Sequence, residues 1–77
     1  MNAWTWEAGS WSGITGDRRR ARRHATARLR SGEAGTAVLR EVTVATGIAV
    51  MDGHYRPVAG TRTEGRRDGR GIRWDRP

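Results

Sequence analysis

The chain has no cysteine, no lysine and no phenylalanine, and only two prolines among its 77 residues. Without cysteine, neither a disulfide nor a thiolate zinc site can staple the fold. Without phenylalanine, aromatic burial falls on four tryptophans and Tyr55. Acids are scarce, eight against fifteen arginines, so the formal net charge is +7. No apolar run approaches the ~18 residues that a membrane helix needs. The longest weakly polar stretch, Val42 to Met51, is broken by Thr43, Thr46 and Gly47. The opening, Met1 to Glu7, lacks a basic region followed by an apolar one, so it does not read as a signal peptide. The expectation is a cytoplasmic protein with no membrane partner.

What is present fits one small domain, residues 1–77. A chain of this size buries only about 60–65% of the surface its unfolded form exposes, so its stability is marginal. Its large apolar residues suffice for one thin two-layer core. The tryptophans must supply much of the burial, at up to ~250 Å² each. Trp4 and Trp6 are two apart and share one face of an extended segment. Residues 1–12 are read as an aromatic strand or arm, with Gly9-Ser10 and Ser12-Gly13 as breaks. These tryptophans serve either as core or as a platform for stacking a ligand.

A helix is expected over residues 15–31. Thr15 or Asp17 can cap its start, and Gly32 suits the left-handed residue past its end. Between them lie Arg, Ala, His, Thr and Leu, with no Gly or Pro. Ala21, Ala25 and Leu29 form the buried stripe, and the other faces are rich in arginine.

Residues 36–75 are read as antiparallel strands. Thr36 to Val44 fits a strand carrying Val38, Val42 and Val44 on one face, or a helical stripe of Val38, Leu39 and Val42. Its β-branched content favours the strand. Ile48 to Met51 suggests a further turn or strand, and Asp52-Gly53 a tight turn. Asp68-Gly69 predicts a two-residue hairpin loop with positive φ at both positions. That loop would pair Gly65 with Ile72, Glu64 with Arg73, Thr63 with Trp74 and Arg62 with Asp75. Thr63, Ile72 and Trp74 would then share a core face, and Glu64–Arg73 and Arg62–Asp75 would be cross-strand ion pairs. The fold class expected is α+β, one Arg-rich helix packed on a small antiparallel meander that ends in a hairpin.

The candidate site is Arg18, Arg19, Arg20, Arg22 and Arg23, five arginines within six residues. The start of a helix carries partial positive charge, so cations there are mildly destabilising. Arg18–Arg22 and Arg19–Arg23 add like-charge pairs four apart. Local rules tend to be broken at functional sites, and this conflict points to an anionic partner. The competing reading is a solvated face. Absence of lysine with abundant Ala and Gly suggests a GC-rich genome, in which part of the arginine content is mutational bias. Arg62, Arg66 and Arg67 could extend the basic patch.

Nothing composes a catalytic set. His24 lies among arginines and His54 follows the Asp52-Gly53 turn signal, where only Asp52 could join it as a metal ligand. Ser10, Ser12 and Ser31 have no identifiable base, and no Gly-rich loop has the strand-to-helix context of a phosphate site. No enzyme activity, cofactor or metal is expected.

Trp11-Ser12-Gly13-Ile14-Thr15-Gly16-Asp17-Arg18, followed by an Ala- and Arg-rich helix, resembles the opening of short uncharacterised proteins of high-GC bacteria. Tyr55-Arg56-Pro57, Gly65-Arg66 and Gly71-Ile72-Arg73-Trp74 resemble their C-terminal part. The resemblance covers most of the chain after residue 10. It implies an independently folding domain and carries no activity with it. The function expected is a small basic binding module with nucleic acid as first partner, held through the Arg-rich helix. The alternative is a protein-interaction module that binds an acidic protein surface or docks through the N-terminal tryptophans.

Overall fold

The computed structural model describes residues 2–44 and 55–75. The expected Ile48–Met51 element, the Asp52-Gly53 turn and His54 lie outside the described residues. In chain order the elements are β1 (Asn2–Ala8), β2 (Trp11–Thr15), α1 (Arg18–Arg30), β3 (Thr36–Val44), β4 (Tyr55–Pro57), β5 (Thr63–Asp68) and β6 (Gly71–Trp74). All described strand pairs are antiparallel, in the order β2-β1-β3-β5-β6. β4 shares with β5 the edge of β3 that β1 leaves free. The sheet is open rather than closed into a barrel, and α1 covers one face of it. This is the expected α+β class with a terminal hairpin.

The helix forms where the sequence supplies its ends. Asp17 accepts the backbone N–H of Arg20 at 2.8 Å and is the N-cap. Thr15 Oγ1 donates to the Asp17 carbonyl at 2.7 Å and accepts the Asp17 N–H at 3.3 Å, which holds the cap. At the other end Gly32 has φ +80°. Glu33 N–H reaches back to the Arg28 carbonyl and Gly32 N–H to that of Leu29, the paired bonds of a Schellman ending. Ala21, Ala25 and Leu29 are fully buried, as their spacing predicts. Against them pack Trp6, Ala8, Ala37 and Leu39, with Trp4, Ile72 and Trp74 at the rim. Small alanines on both layers bring the helix close to the sheet.

Trp11 to Thr15 was expected to break at Ser12-Gly13, yet it is a strand. The reason lies across the hairpin. Gly13 is opposite Trp6, and a Cβ there would stand 2.6 Å from Trp6 Nε1. Only glycine leaves room for the indole. Thr36 to Val44 is the strand that its β-branched residues predict. Its helix-facing residues are Ala37 and Leu39. Val38 and Val42 lie on the second sheet face, where Val42 is buried opposite Ala3.

The C-terminal hairpin corrects the expected register. The loop is Gly69-Arg70, with Asp68 opposite Gly71, Arg67 opposite Ile72, Arg66 opposite Arg73 and Gly65 opposite Trp74. Gly71, not Gly69, has the positive φ, at +132°. Two features select this pairing. Asp68 Oδ1 accepts the N–H of Arg70 at 2.7 Å, a side-chain-closed turn that starts at Asp68. Trp74 then lies over Gly65, where a Cβ would be 2.7 Å from the indole. A shift of two positions leaves facing unchanged, so Thr63, Ile72 and Trp74 still share the core side. It does remove the expected Glu64–Arg73 and Arg62–Asp75 ion pairs. Glu64 binds Arg62 and Arg66 instead, and Arg73 lies 3.7 Å from Asp68.

Candidate binding surface on the helix

Every tryptophan in the chain carries a helix side chain on its ring. Arg18 lies 5.7 Å above the Trp4 centroid, Arg22 5.6 Å above Trp74 and Arg28 3.7 Å above Trp11. His24 stacks on Trp6 at 5.5 Å with 13° between the planes. The guanidinium faces gain cation–π attraction, and the indoles gain cover that a small core does not supply. Trp6 is buried, Trp4 and Trp74 are half-buried, and Trp11 remains 45% exposed. The tryptophans are therefore mainly core, with Trp11 as the exposed member.

The predicted cluster thus divides. Arg18 and Arg22 roof indoles. Arg20 lies 3.8 Å from Asp17 in an exposed pair that contributes little. Arg19 and Arg23 project outward and join Arg30 on the outer face. Arg19, Arg22, Arg23 and Arg30 line one shallow groove, floored by Thr26 and Ala27. Among the described residues, no acidic oxygen lies within 4 Å of any of these four. Arg28 and Arg30 were missed because they lie beyond the dense run. Their signal was the helical spacing from Arg19 and Arg23 and the presence of Trp11.

Arg62 and Arg66 do not join this groove. Within β5, Arg66 alternates with Thr63 and Gly65, which face the helix, so it lies on the second sheet face, and Arg62, just before the strand, reaches the same Glu64. Both donate to Glu64, at 3.2 Å from Arg62 Nη1 and from Arg66 Nη2. Hydrogen bonds from Arg62 and then Arg66 hold the Glu64 carboxyl below the ordinary carboxylate range. Arg67 lies over Gly32, where a Cβ would meet its Nη1 at 3.5 Å. There it sits beside the negative end of the helix dipole. Arg62, Arg66 and Arg67 therefore have partners within the fold.

His24 is taken up by Trp6, and among the described residues no three His, Cys, Asp or Glu side chains gather as a metal site. Ser31 Oγ donates to the Arg28 carbonyl at 3.1 Å and to Glu33 Oε1 at 2.9 Å, so it closes the helix end. Among the described residues no helix is long and apolar enough to cross a membrane. The surface this fold defines is a basic helix face on an open sheet. No family model, no curated protein and no solved structure matches the chain.

Proposed function

We propose that this chain is a non-enzymatic interaction module that docks on an acidic protein surface through the outer face of α1. One observation carries the reading. Arg19, Arg22, Arg23 and Arg30 line a single groove with no acid within 4 Å among the described residues. Arg19, Arg23 and Arg30, which roof no indole, are charged at any physiological pH and stay open to carboxylates.

Two considerations favour a protein over nucleic acid. The arginine run is less available than its density suggests, because Arg18 and Arg22 roof indoles and Arg20 meets Asp17. The second Arg-rich element is turned to the other sheet face, where Glu64 holds Arg62 and Arg66, so among the described residues these two do not extend the helix surface toward base edges. Protein interfaces combine arginine with exposed aromatic and apolar groups. On the helix side of the sheet Trp11, 45% exposed beneath Arg28, supplies one.

The test is a binding panel at 50 and 200 mM salt with poly-L-glutamate, a 20-base-pair DNA duplex and a 20-nucleotide RNA. The reading expects poly-L-glutamate to bind, and to bind more tightly than either nucleic acid at matched charge concentration. Tighter binding of the duplex would reverse the order. A steep salt slope near −0.9 per phosphate contact would then support nucleic acid as the partner.

A further inference from the structure

Charge converges on one point of the outer helix groove. Its floor includes Thr26, which is half-buried. Arg22 and Arg23 stand four and three residues before Thr26, and Arg30 stands four after it. Residues three and four apart are neighbours on a helix surface, about 5–6 Å between Cβ atoms. These three long side chains therefore reach the space above Thr26 from both ends. Arg19, one turn before Arg23, lines the same groove. The groove holds about 360 Å³ and lies on the flank toward β6, since Arg22 within it roofs Trp74.

The acids at the two helix ends are engaged elsewhere. Asp17 lies 3.8 Å from Arg20, and Glu33 takes Arg28 Nη1 at 2.8 Å. Among the described residues, no carboxylate oxygen comes within 4 Å of Arg19, Arg22, Arg23 or Arg30. Arg22 spends its guanidinium face on Trp74 and keeps its N–H edge for an acceptor.

The number of cations specifies the anion. One carboxylate brings a single charge and two oxygens, so it meets one guanidinium fork and leaves the neighbours repelling one another. A phosphate monoester brings about −1.5 to −2 charges at pH 7 and three acceptor oxygens. Those oxygens can take a fork from Arg23 on one side and from Arg30 on the other, with the Thr26 hydroxyl as a donor from below. The groove is shallow and does not enclose an ion. A phosphate held there needs the further contacts of a larger molecule that carries it.

We propose that the groove around Thr26 receives a phosphorylated side chain of the acidic partner, bound by Arg23 and Arg30 with Arg19 and Arg22 completing the charge. This rests on the reading that the partner is an acidic protein, and it names the group by which that partner is recognised.

The probes are three blocked pentapeptides in phosphate-free buffer at 50 mM salt, followed by amide NMR. One is Ala-Ala-Ser-Ala-Ala with the serine phosphorylated, one is the same peptide unmodified, and one is Ala-Ala-Glu-Glu-Ala, which carries a similar charge on two carboxylates. The phosphopeptide is expected to bind about tenfold more tightly than the Glu-Glu peptide and to shift the Thr26 and Ala27 amides, while the unmodified peptide does not bind. Arg23→Gln/Arg30→Gln should erase the phosphate preference. Thr26→Val keeps the side-chain shape without the hydroxyl, and should weaken phosphopeptide binding about fivefold, the scale of one hydrogen bond, with the Glu-Glu affinity unchanged. If a variant does not fold, the wild-type preference and the position of its shifts decide alone. Equal affinity for the phosphopeptide and the Glu-Glu peptide, or shifts away from Thr26, would overturn the phosphate and leave the acidic partner standing. Inorganic phosphate that binds as tightly as the phosphopeptide would mark a free-anion site and overturn the carried phosphate. A DNA duplex that outbinds the phosphopeptide and poly-L-glutamate at matched charge would overturn both readings, as would binding of neither the phosphopeptide nor poly-L-glutamate.

Discussion

Six of the seven arginines of α1 form two sets that the helix turns different ways; Arg20 lies beside Asp17, and Arg28 also donates to Glu33 at 2.8 Å. Arg18, Arg22 and Arg28 lean over the sheet and roof Trp4, Trp74 and Trp11. Arg19, Arg23 and Arg30 face outward, with no acidic partner among the described residues. The first set offsets its unfavourable charge through the indoles beneath it. The second has no such return inside the fold. A basic helix is therefore not one kind of surface, and its charge density overstates what a partner can reach. Loss of a roofing arginine should weaken the fold, whereas loss of an outward one should not.

The largest way to break this comparison is to remove what the roof covers. Trp6 is buried between Gly13 and His24. Trp6→Ala should cost about 3–5 kcal/mol, comparable to the whole stability of so small a domain. Circular dichroism at 25 °C should show a largely unfolded chain. A cooperative melt near that of the wild type would mean that the indole layer does not organise the core.

The two Trp-over-Gly pairs sharpen the comparison at a smaller scale. Gly13→Ala forces a buried indole to move and should cost about 1–3 kcal/mol. Gly65→Ala presses on Trp74, which is only half-buried and can tilt outward, so its cost should be lower. Denaturant melts of the two variants give the order directly. The reverse order would place the tighter packing in the C-terminal hairpin.

How much of this was legible in the sequence follows from how local each signal is. Asp17, Gly32 and the stripe of Ala21, Ala25 and Leu29 act within a few turns of one helix, and the helix reads correctly from them. β2 did not, because the reason for Gly13 is Trp6 on the neighbouring strand, and an isolated Ser-Gly looks like a break. The C-terminal hairpin gave the right faces with the wrong loop. The Asp-Gly pair was read for positive φ at Gly69, whereas Asp68 closes the turn with its own carboxylate and Gly71 takes the unusual φ. The arginine run was visible as a surface. Its division was not, because it depends on indoles that are distant in sequence. Arg62 and Arg66 looked like an extension of the patch, but strand alternation turns Arg66 away and Arg62 reaches the same Glu64.

The most direct test compares two triple variants of equal charge. Arg18→Gln/Arg22→Gln/Arg28→Gln and Arg19→Gln/Arg23→Gln/Arg30→Gln each remove three charges, taking the formal net charge from +7 to +4. Melting temperature and affinity for poly-L-glutamate at 50 mM salt are measured on both. The roofing variant should lose about 2 kcal/mol, at roughly 0.5–1 per cation–π contact, and melt roughly 10 °C lower. The outward variant should melt at or slightly above the wild type, because the Arg19–Arg23 repulsion is relieved. It should also lose most of the affinity. Equal losses of stability and of affinity in the two variants would show that only total charge matters, and would contradict the division of the helix into a roof and a docking face.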